Sequence, residues 1–353
     1  MSRKAAYSSR FQTFSKTRKC GISAPIPCNT NFSSFNSSHT QMNTTILMLG
    51  GSRRVSVAQL LKDSGKRLGC DVKIIAYELD TEVPIAIEGE VIKGKSFSDP
   101  DVIEDITRVV KEHDVKIILP FINPAIEIAS LCKEKIDGVF VPVADFSTTS
   151  RMFDKVEAAR LFKEAGFPIP RTYSVIDNEM PAIVKPRKGG SSRGIKIFHD
   201  VEDLMLLQNL DKYIIQEYIE NNREYSVDCY ISESGDILAT VPRERLEIMG
   251  GEVTRTRTYR NTQLIDMSRK VIEHFRLTGP VTIQFLHDLD KDRFLLMEVN
   301  PRLGGGVICS IYAGAPITDY ILLEAMGKKV TPSTGWEDGV LMARYQKEAI
   351  FRH

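Results

Sequence analysis

Two apolar runs that carry polar residues at alternate positions constrain the fold of this chain most strongly. They are Val-Thr-Ile-Gln-Phe-Leu-His at 281–287 and Phe-Leu-Leu-Met-Glu-Val-Asn-Pro-Arg at 294–302. Both are rich in the β-branched and aromatic residues that favour strands. Glu298 and Asn300 are two positions apart, so on a strand their side chains point to the same face. The pattern predicts two neighbouring strands with a polar face.

The segment 288–292 between these runs has the composition of a hairpin turn. A hairpin centred near Lys291 places Gln284 directly opposite Glu298, with Cβ atoms roughly 5 Å apart. A carboxylate and two amide oxygens, the second from Asn300, would then converge on one face. Oxygen ligands suit a hard cation, so the hairpin predicts a Mg²⁺ site.

Arg302 ends the second run, where a guanidinium would hold an anion beside the cation. Pro301 and the segment 303–306, Leu-Gly-Gly-Gly, surround it, and glycines let a backbone approach a ligand closely. The alternative is a hairpin whose outer face is merely solvated, because antiparallel sheets commonly have one wet face.

Composition limits the functions that the chain can have. Hydrophobic residues make up 42% and charged residues 26%, and the net charge is +1, so no global field favours nucleic acid or membrane binding. No apolar run reaches the ~20 residues of a membrane span. The six cysteines are scattered without a CxxC. This argues against structural zinc and disulfides and favours a reducing compartment, the cytoplasm.

The first 43 residues are basic, rich in Ser, Thr and Asn, and free of acidic residues. Such a segment is predicted to be disordered. Two interpretations stay open. The first is an organellar transit peptide, since such peptides have a similar composition. The second is a translated leader that precedes a natural start at Met42.

In residues 44–150, short apolar runs alternate with segments that have helical periodicity. Strands are predicted at 45–49, 72–77, 116–120 and 138–142, and helices at 56–68, 101–113 and 125–135. This order predicts a doubly wound parallel sheet with a crevice for a small ligand at its carboxyl edge. The turn at 50–54, Gly-Gly-Ser-Arg-Arg, is not GxGxxG. A nucleotide-sugar- or NAD-binding enzyme built on this region is therefore the weaker interpretation.

Near residue 150 the pattern changes to α+β. A helix is predicted at 154–164, followed by Gly166 as its cap. Beyond 172 strands dominate, with helices near 201–210 and 266–275.

A strand, a Gly-Ser loop and a second strand are predicted at 182–195, Ala-Ile-Val-Lys-Pro-Arg-Lys-Gly-Gly-Ser-Ser-Arg-Gly-Ile. Glycines free backbone N–H groups to bind an anion, and serines add hydroxyl donors. Lys185 stands in an apolar strand, where an unpaired ammonium is costly and an incoming phosphate would pair it. No GK[ST] follows, so this is not a Walker A loop. The alternative is a plain hairpin with a flexible tip.

A strand at 212–219 leads through a turn into another strand at 224–228. The backbone of such a connector can meet an adenine edge through its N–H and C=O groups, and a carboxylate such as Glu224 can bind ribose hydroxyls. Taken alone, the pattern describes an ordinary hairpin equally well.

The order of these motifs resembles the ATP-grasp superfamily, most closely the stand-alone relatives of the carbamoyl phosphate synthetase large chain. The shared order is a lysine after a domain junction, a lysine before a glycine-rich hairpin loop, Glu-Tyr-Ile with a later Glu, and Gln with Glu-x-Asn-Pro-Arg. The resemblance extends over about residues 44–345. It implies an α/β, Rossmann-like pre-ATP-grasp domain at 44–150 and an α+β ATP-grasp domain at 151–353, with a mobile lid at about 172–217.

The resemblance also implies ATP and Mg²⁺ (or Mn²⁺) as cofactors and a role for individual residues. The ATP phosphates would be held by Lys155, Lys185 and the loop residues Gly189, Gly190, Ser191, Ser192 and Gly194. The adenosine would be held by Glu217, Tyr218, Ile219 and Glu224. The metal ligands would be Gln284, Glu298 and Asn300, and the catalytic groups would be Arg302 and Lys185.

One position departs from the common pattern, since many ATP-grasp ligases have Asp or Glu where this chain has Gln284. A Gln occurs in the synthetase-like branch, so the match narrows the subfamily. It also lowers the anionic charge at the predicted metal site.

Arg243 and Arg245 alternate onto one strand face, where they would hold a carboxylate substrate bidentately. A solvated charged strand is an equally good interpretation.

The leading hypothesis is an ATP- and Mg²⁺-dependent carboxylate–amine ligase that forms an acyl phosphate. The alternative is an ATP-binding regulatory protein without ligase activity. The complete set of transfer residues argues against it, because a protein that only binds nucleotide does not need them. The expected partners are a small-molecule carboxylate and an amine, with no nucleic acid and no membrane, and a homodimer stays open. The sequence identifies neither substrate.

Overall fold

The alternation of strands and helices predicted for the N-terminal region is present in the computed structural model, which describes residues 42–173, 179–190 and 193–352. Four parallel strands form the N-terminal sheet in the order β3-β2-β1-β4: β1 (Met42–Leu49), β2 (Cys70–Glu78), β3 (Glu90–Lys93) and β4 (Val115–Pro120). Its helices are α1 (Val55–Leu68), α2 (Val102–Glu112) and α3 (Asn123–Lys135).

Strand β1 is buried on both faces, as a central parallel strand covered by helices should be. Ile46 and Met48 pack in one apolar cluster with α1, whereas Leu47 and Leu49 pack in another with α2 and α3. Most of the predicted leader, residues 1–41, lies outside the described residues.

The strand predicted at 138–142 is wrong. Only Phe140 bridges to β4, opposite Ile117. Gly138 adopts a φ of 76°, and Pro142 has no N–H to donate, so the pairing cannot extend in either direction. Strand β3 was not predicted, because none of its four residues is fully buried.

The second region begins with two helices, α4 (Phe146–Phe153) and α5 (Lys155–Glu164). A small sheet follows in the order β5-β8-β6-β7, here called the lid sheet: β5 (Thr172–Tyr173), β6 (Ala182–Pro186), β7 (Lys196–Phe198) and β8 (Tyr213–Glu217). Its one α-helix in the described chain, α6 (Val201–Met205), is shorter than predicted. Asn209, with a φ of 56°, separates it from a short 3-10 helix at Leu210–Lys212. The mobility of this region stays a prediction.

Six antiparallel strands form the large sheet in the order β13-β12-β9-β10-β11-β14. They are β9 (Asn222–Ile231), β10 (Ile237–Met249), β11 (Glu252–Thr258), β12 (Gly279–Asp288), β13 (Arg293–Asn300) and β14 (Leu341–Ala343). The accompanying helices are α7 (Thr262–Phe275), α8 (Val307–Tyr312) and α9 (Ile317–Ala325).

The two faces of the large sheet differ in chemistry because side chains alternate along each strand. Val227 and Ile283 belong to an apolar cluster that also contains Val271 of α7. Their neighbours on the opposite face are polar, among them Gln284 and Glu298. The large sheet therefore presents a polar face to the lid sheet.

Candidate active site

A cleft of about 1190 Å³ lies between the large sheet and the lid sheet. Lys185 and Gln216 line it from the lid sheet, and Arg54 and residues 121–124 line it from the N-terminal sheet. The large sheet contributes alternate residues of four strands, namely Glu224, Ser226, Arg243, Arg245, Thr282, Gln284, Glu298 and Asn300. Every described residue that the sequence predicted for the site lines this cleft, whereas Ser191 and Ser192 lie outside the described residues.

Gln284 pairs with Glu298 across β12 and β13, so the predicted register is confirmed. The turn is centred half a residue earlier than predicted, because Asp288 pairs with Arg293. A β-bulge at Met297 adds the missing residue and restores the predicted pair.

The predicted metal ligands carry one carboxylate. Burial lowers the pKa of Lys185 and of Arg302, and the Glu298 carboxylate opposes this for both. The Asn300 side-chain nitrogen is buried without a hydrogen-bond partner in the described chain. No group of three or more His, Cys, Asp or Glu side chains that could hold a metal occurs in the part of the chain that is described. The set fits Mg²⁺ when ligand phosphates complete the coordination, which is how proteins commonly bind this ion.

Lys185 projects from β6 into the cleft. Its Nζ donates a hydrogen bond to Gln216 Oε1 at 3.2 Å. Burial lowers the pKa of Lys185, although Glu298 and Glu224 act in the opposite direction. A buried ammonium beside a neutral amide is stabilised by an incoming anion.

Lys155 ties the glycine loop to the first turn of α5. Its Nζ donates to Gly189 O at 2.9 Å, and its backbone N–H donates to Arg187 O at 3.0 Å. Asp154 caps α5 by accepting from the N–H groups of Val156 and Glu157, and it also pairs with Arg187 at 2.6 Å. The loop is therefore positioned by the same residues that start the helix.

The Glu217 carboxylate is engaged in the fold. It pairs with Arg293 at 3.1 Å and accepts from the Arg171 N–H at 2.8 Å. The predicted adenine contact used the backbone of this segment, which stays a prediction.

Arg245 lies at the centre of the cleft floor. Its Nη1 pairs with Glu224 Oε2 at 2.9 Å and donates to Gln284 Oε1 at 2.7 Å. Burial lowers the pKa of Arg245, and Glu224 opposes this. One lone pair of the Gln284 oxygen is thus used, and a second can still meet a cation.

Arg243 belongs to a buried network that the sequence did not predict. Its Nε and Nη2 donate to the two oxygens of Asp228 at 2.6 and 3.1 Å, and Ser310 Oγ donates to Asp228 at 2.6 Å. The solvated-strand interpretation is wrong, because Arg243 and the side chain of Arg245 are only 1% and 9% exposed. An acidic residue inside the strand-like run at 226–231 was the signal for this network.

The triple glycine after Arg302 accommodates side chains of this network. A Cβ at Gly304 would lie 2.6 Å from Thr282 Oγ1, and one at Gly306 would lie 2.4 Å from Arg243 Nη1. From the sequence, these glycines are predicted to let the backbone approach a ligand. The structure shows that protein packing already requires two of them.

Arg302 is buried at the end of the cleft. Its Nη1 donates to Leu303 O at 3.1 Å, and its Nε has no partner among the described residues. Burial, and then the nearby Arg54, lower the pKa of Arg302, whereas Glu298 and Glu252 raise it.

Glu252 of the β10–β11 hairpin lies between two arginines that the sequence did not assign to the site. Arg54 pairs with it at 2.9 Å and Arg344 at 2.6 Å. Burial alone would raise the pKa of Glu252, but the two guanidinium groups outweigh it and lower that pKa to about 2.

The family model for "ATP-grasp in the biosynthetic pathway with Ter operon" matches residues 209–348. The C-terminal section of the carbamoyl phosphate synthase large chain from Methanopyrus kandleri is 23% identical over 269 residues, which is 67% of this chain and 48% of the relative. These matches confirm the predicted resemblance to the ATP-grasp superfamily.

A second curated relative resembles the chain at a similar distance. Biotin carboxylase 1 of Bacillus subtilis is 25% identical over 291 residues, 71% of this chain and 64% of the relative. The chain thus spans about half to two thirds of the length of these curated relatives.

Solved structures show the ATP-grasp fold. Biotin carboxylase from Campylobacter jejuni superposes with a TM-score of 0.68 at 18% identity, covering 84% of this chain and 73% of that one. N5-carboxyaminoimidazole synthetase from Staphylococcus aureus, complexed with ADP, gives 0.67 at 18% identity, covering 83% and 79%. No helix in the described ranges is long and apolar enough to cross a membrane.

Proposed function

We propose that this ATP-grasp protein is an ATP- and Mg²⁺-dependent ligase that activates a carboxylate as an acyl phosphate for attack by an amine. The observation that carries the proposal is the convergence of Lys185, Glu298, Asn300 and Arg302 on one cleft between two sheets. The names of the relatives support an enzyme, and the Staphylococcus aureus neighbour contains ADP.

The reaction consists of two displacements. A carboxylate oxygen of the acid attacks the γ-phosphorus, and the bond from that phosphorus to the β,γ-bridging oxygen breaks, so that ADP leaves with the electron pair. The amine nitrogen then attacks the acyl carbon, the bond to the phosphate oxygen breaks, and the nitrogen loses a proton. Phosphate and an amide are the products.

The proposed roles are positioning and charge neutralisation rather than covalent catalysis. Lys155 and Lys185 bind the phosphates, and the glycine loop lies over them. Arg302, with an unpartnered Nε, binds the transferred phosphoryl group. Gln284, Glu298 and Asn300 would hold Mg²⁺, which would supply positive charge to neutralise the phosphates.

The nucleoside is proposed to lie toward the connector after β8, with adenine at the backbone of residues 217–219 and ribose at Glu224. Glu224 must exchange part of its contact with Arg245 for the ribose hydroxyls. The N-terminal sheet, proposed as the pre-ATP-grasp domain, forms the opposite end of the cleft, where the acid and amine would enter.

An ADP-release screen of carboxylic acids crossed with amines tests the proposal. We expect release that requires Mg²⁺, an acid and an amine, and that disappears in Glu298→Gln. If ATP binds by calorimetry but no pair releases ADP above the Glu298→Gln level, the protein is a nucleotide-binding regulator instead.

A further inference from the structure

Two arginines hold the Glu252 carboxylate at the end of the cleft beside the N-terminal sheet. Glu252 is held by Arg54, with Nη2 and Nη1 at 2.9 and 3.4 Å from its two oxygens, and by Arg344 Nη1 at 2.6 Å. Two guanidinium groups therefore share one carboxylate.

Arg302 adds a third guanidinium to this region. No described carboxylate lies within hydrogen-bonding distance of the Arg302 guanidinium. Its Nη1 donates to the Leu303 carbonyl, and its Nε has no partner among the described residues. Arg54 is close enough to disfavour the charge on Arg302. Buried charges in proteins are normally paired, so Arg302 is suited to bind an anion that enters the cleft.

The proposed reaction gives a role to only some of the cationic side chains around the cleft. Lys155 and Lys185 are assigned to the phosphates, and Arg302 to the transferred phosphoryl group. Arg54 and Arg344 then remain beside Glu252. Arg344 is 34% exposed and lies outside the cleft lining, so it can keep Glu252 while Arg54, which lines the cleft, meets a ligand.

Gly305 allows these groups to approach closely. A Cβ at this position would lie 3.2 Å from both Arg54 Nη1 and Glu252 Oε2, and 3.4 Å from Arg344 Nη2. Arg54 is 14% exposed, so its guanidinium belongs to the wall of the cleft rather than to free surface.

We propose that the acid substrate carries a second anionic group, a carboxylate or a phosphate ester, and that Arg54 selects it. This inference rests on the proposed function. The reacting carboxylate lies at Arg302, and the second anion lies at Arg54 on the side of the N-terminal sheet. The substrate class is therefore dicarboxylates and phosphorylated carboxylic acids.

Equilibrium binding tests the inference without requiring turnover. The probes are succinate, glutarate and phosphoglycolate, matched with butyrate, valerate and glycolate, titrated calorimetrically into the ADP–Mg²⁺ protein in phosphate-free buffer. We expect each doubly anionic probe to bind at least about tenfold more tightly than its match, equivalent to about 1.4 kcal/mol.

Four variants separate recognition from structure. Arg54→Ala should remove the preference, Arg54→Lys should restore part of it, and Arg53→Ala, an exposed neighbour on the same turn, should retain it. Glu252→Gln should tighten binding of the doubly anionic probes, because it removes the carboxylate that holds Arg54 and with it one negative charge near the probe. A merely structural Arg54–Glu252 bridge would make Arg54→Ala and Glu252→Gln change binding in the same direction, which would overturn the inference.

The two proposals fail separately. Binding that depends on Arg54, without ADP release for any amine, supports the anion site and rejects the ligase. ADP release from monoacids that Arg54→Ala leaves unchanged supports the ligase and rejects the anion site. Equal binding of matched probes to the wild type also rejects the anion site.

Discussion

Arg245 and Glu224 form an ion pair on the floor of the cleft, with Nη1 and Oε2 separated by 2.9 Å. The two residues were predicted for different ligands, a carboxylate substrate and the ribose of ATP. Because Arg245 also holds Gln284 at 2.7 Å, a single guanidinium connects the proposed ribose contact with the proposed metal site.

Arg245→Ala should destabilise the protein by roughly 1–3 kcal/mol, because it leaves Glu224 and Gln284 without their charged donor. The matched control is Arg257→Ala on β11, whose ion pair with Glu244 involves a side chain that is 48% exposed and should contribute less than about 1 kcal/mol. Urea denaturation of both variants checks this. Equal free energies of unfolding would show that the Arg245 contacts contribute no more than a surface pair.

Lys185→Met should weaken binding of a non-hydrolysable ATP analogue with Mg²⁺ by roughly 10- to 100-fold, the usual range for a lost charge-assisted hydrogen bond. The fold should tolerate the change, because the buried ammonium has an amide partner and a pKa lowered by burial. Lys196→Met, an exposed lysine of the lid sheet, is the control. Unchanged affinity in a folded Lys185 variant would remove this residue from the phosphate site.

Glu78, at the end of β2, should make stability depend on pH. Burial raises the pKa of Glu78 from 4.5 to about 7, although the backbone N–H groups of Gly51 and Ser52 act against it. The folded state therefore keeps a proton that the unfolded chain releases, so this residue opposes folding increasingly as pH rises from about 4.5 through 7.

The Tm of Glu78→Gln should accordingly rise relative to the wild type as the pH increases from about 5 to about 8. Thermal melts across this range measure the difference, with Glu134→Gln on the exposed side of α3 as the control. A Tm difference that stays constant with pH would mean that Glu78 titrates normally.

Local periodicity was sufficient to predict which residues of the β12–β13 hairpin share a face. Polar positions two apart in 281–287 and 294–300 identified one face of two strands, and the hairpin fixed Gln284 opposite Glu298. These are short-range properties, since side chains alternate along a strand and a turn sets the register.

Contacts between residues that are far apart in the sequence were not predictable in the same way. Arg54 meets Glu252 across 198 positions, and Ser310 meets Asp228 across 82. Such contacts depend on how one sheet lies against another, which strand periodicity does not determine. The error at 138–142 has a local cause, because hydrophobicity outweighed the Gly and Pro that limit the pairing to Phe140.

Glu298→Gln combined with Asn300→Ala should abolish phosphoryl transfer while retaining much of the nucleotide affinity. Charge between the β- and γ-phosphates grows as the bond breaks, so loss of the proposed Mg²⁺ ligands should raise the barrier more than it weakens binding. The proposed adenine and ribose contacts near 217–224 lie on other strands and should survive.

Turnover and affinity for an ATP analogue should be measured on the same folded double variant, with Lys291→Ala in the exposed turn of the same hairpin as the control. Turnover within about tenfold of the wild type corresponds to only about 1.4 kcal/mol of barrier. Such a result would show that the β12–β13 hairpin does not hold the catalytic metal. The ligase proposal would then lose its strongest support, because the remaining cleft residues are equally consistent with nucleotide binding alone.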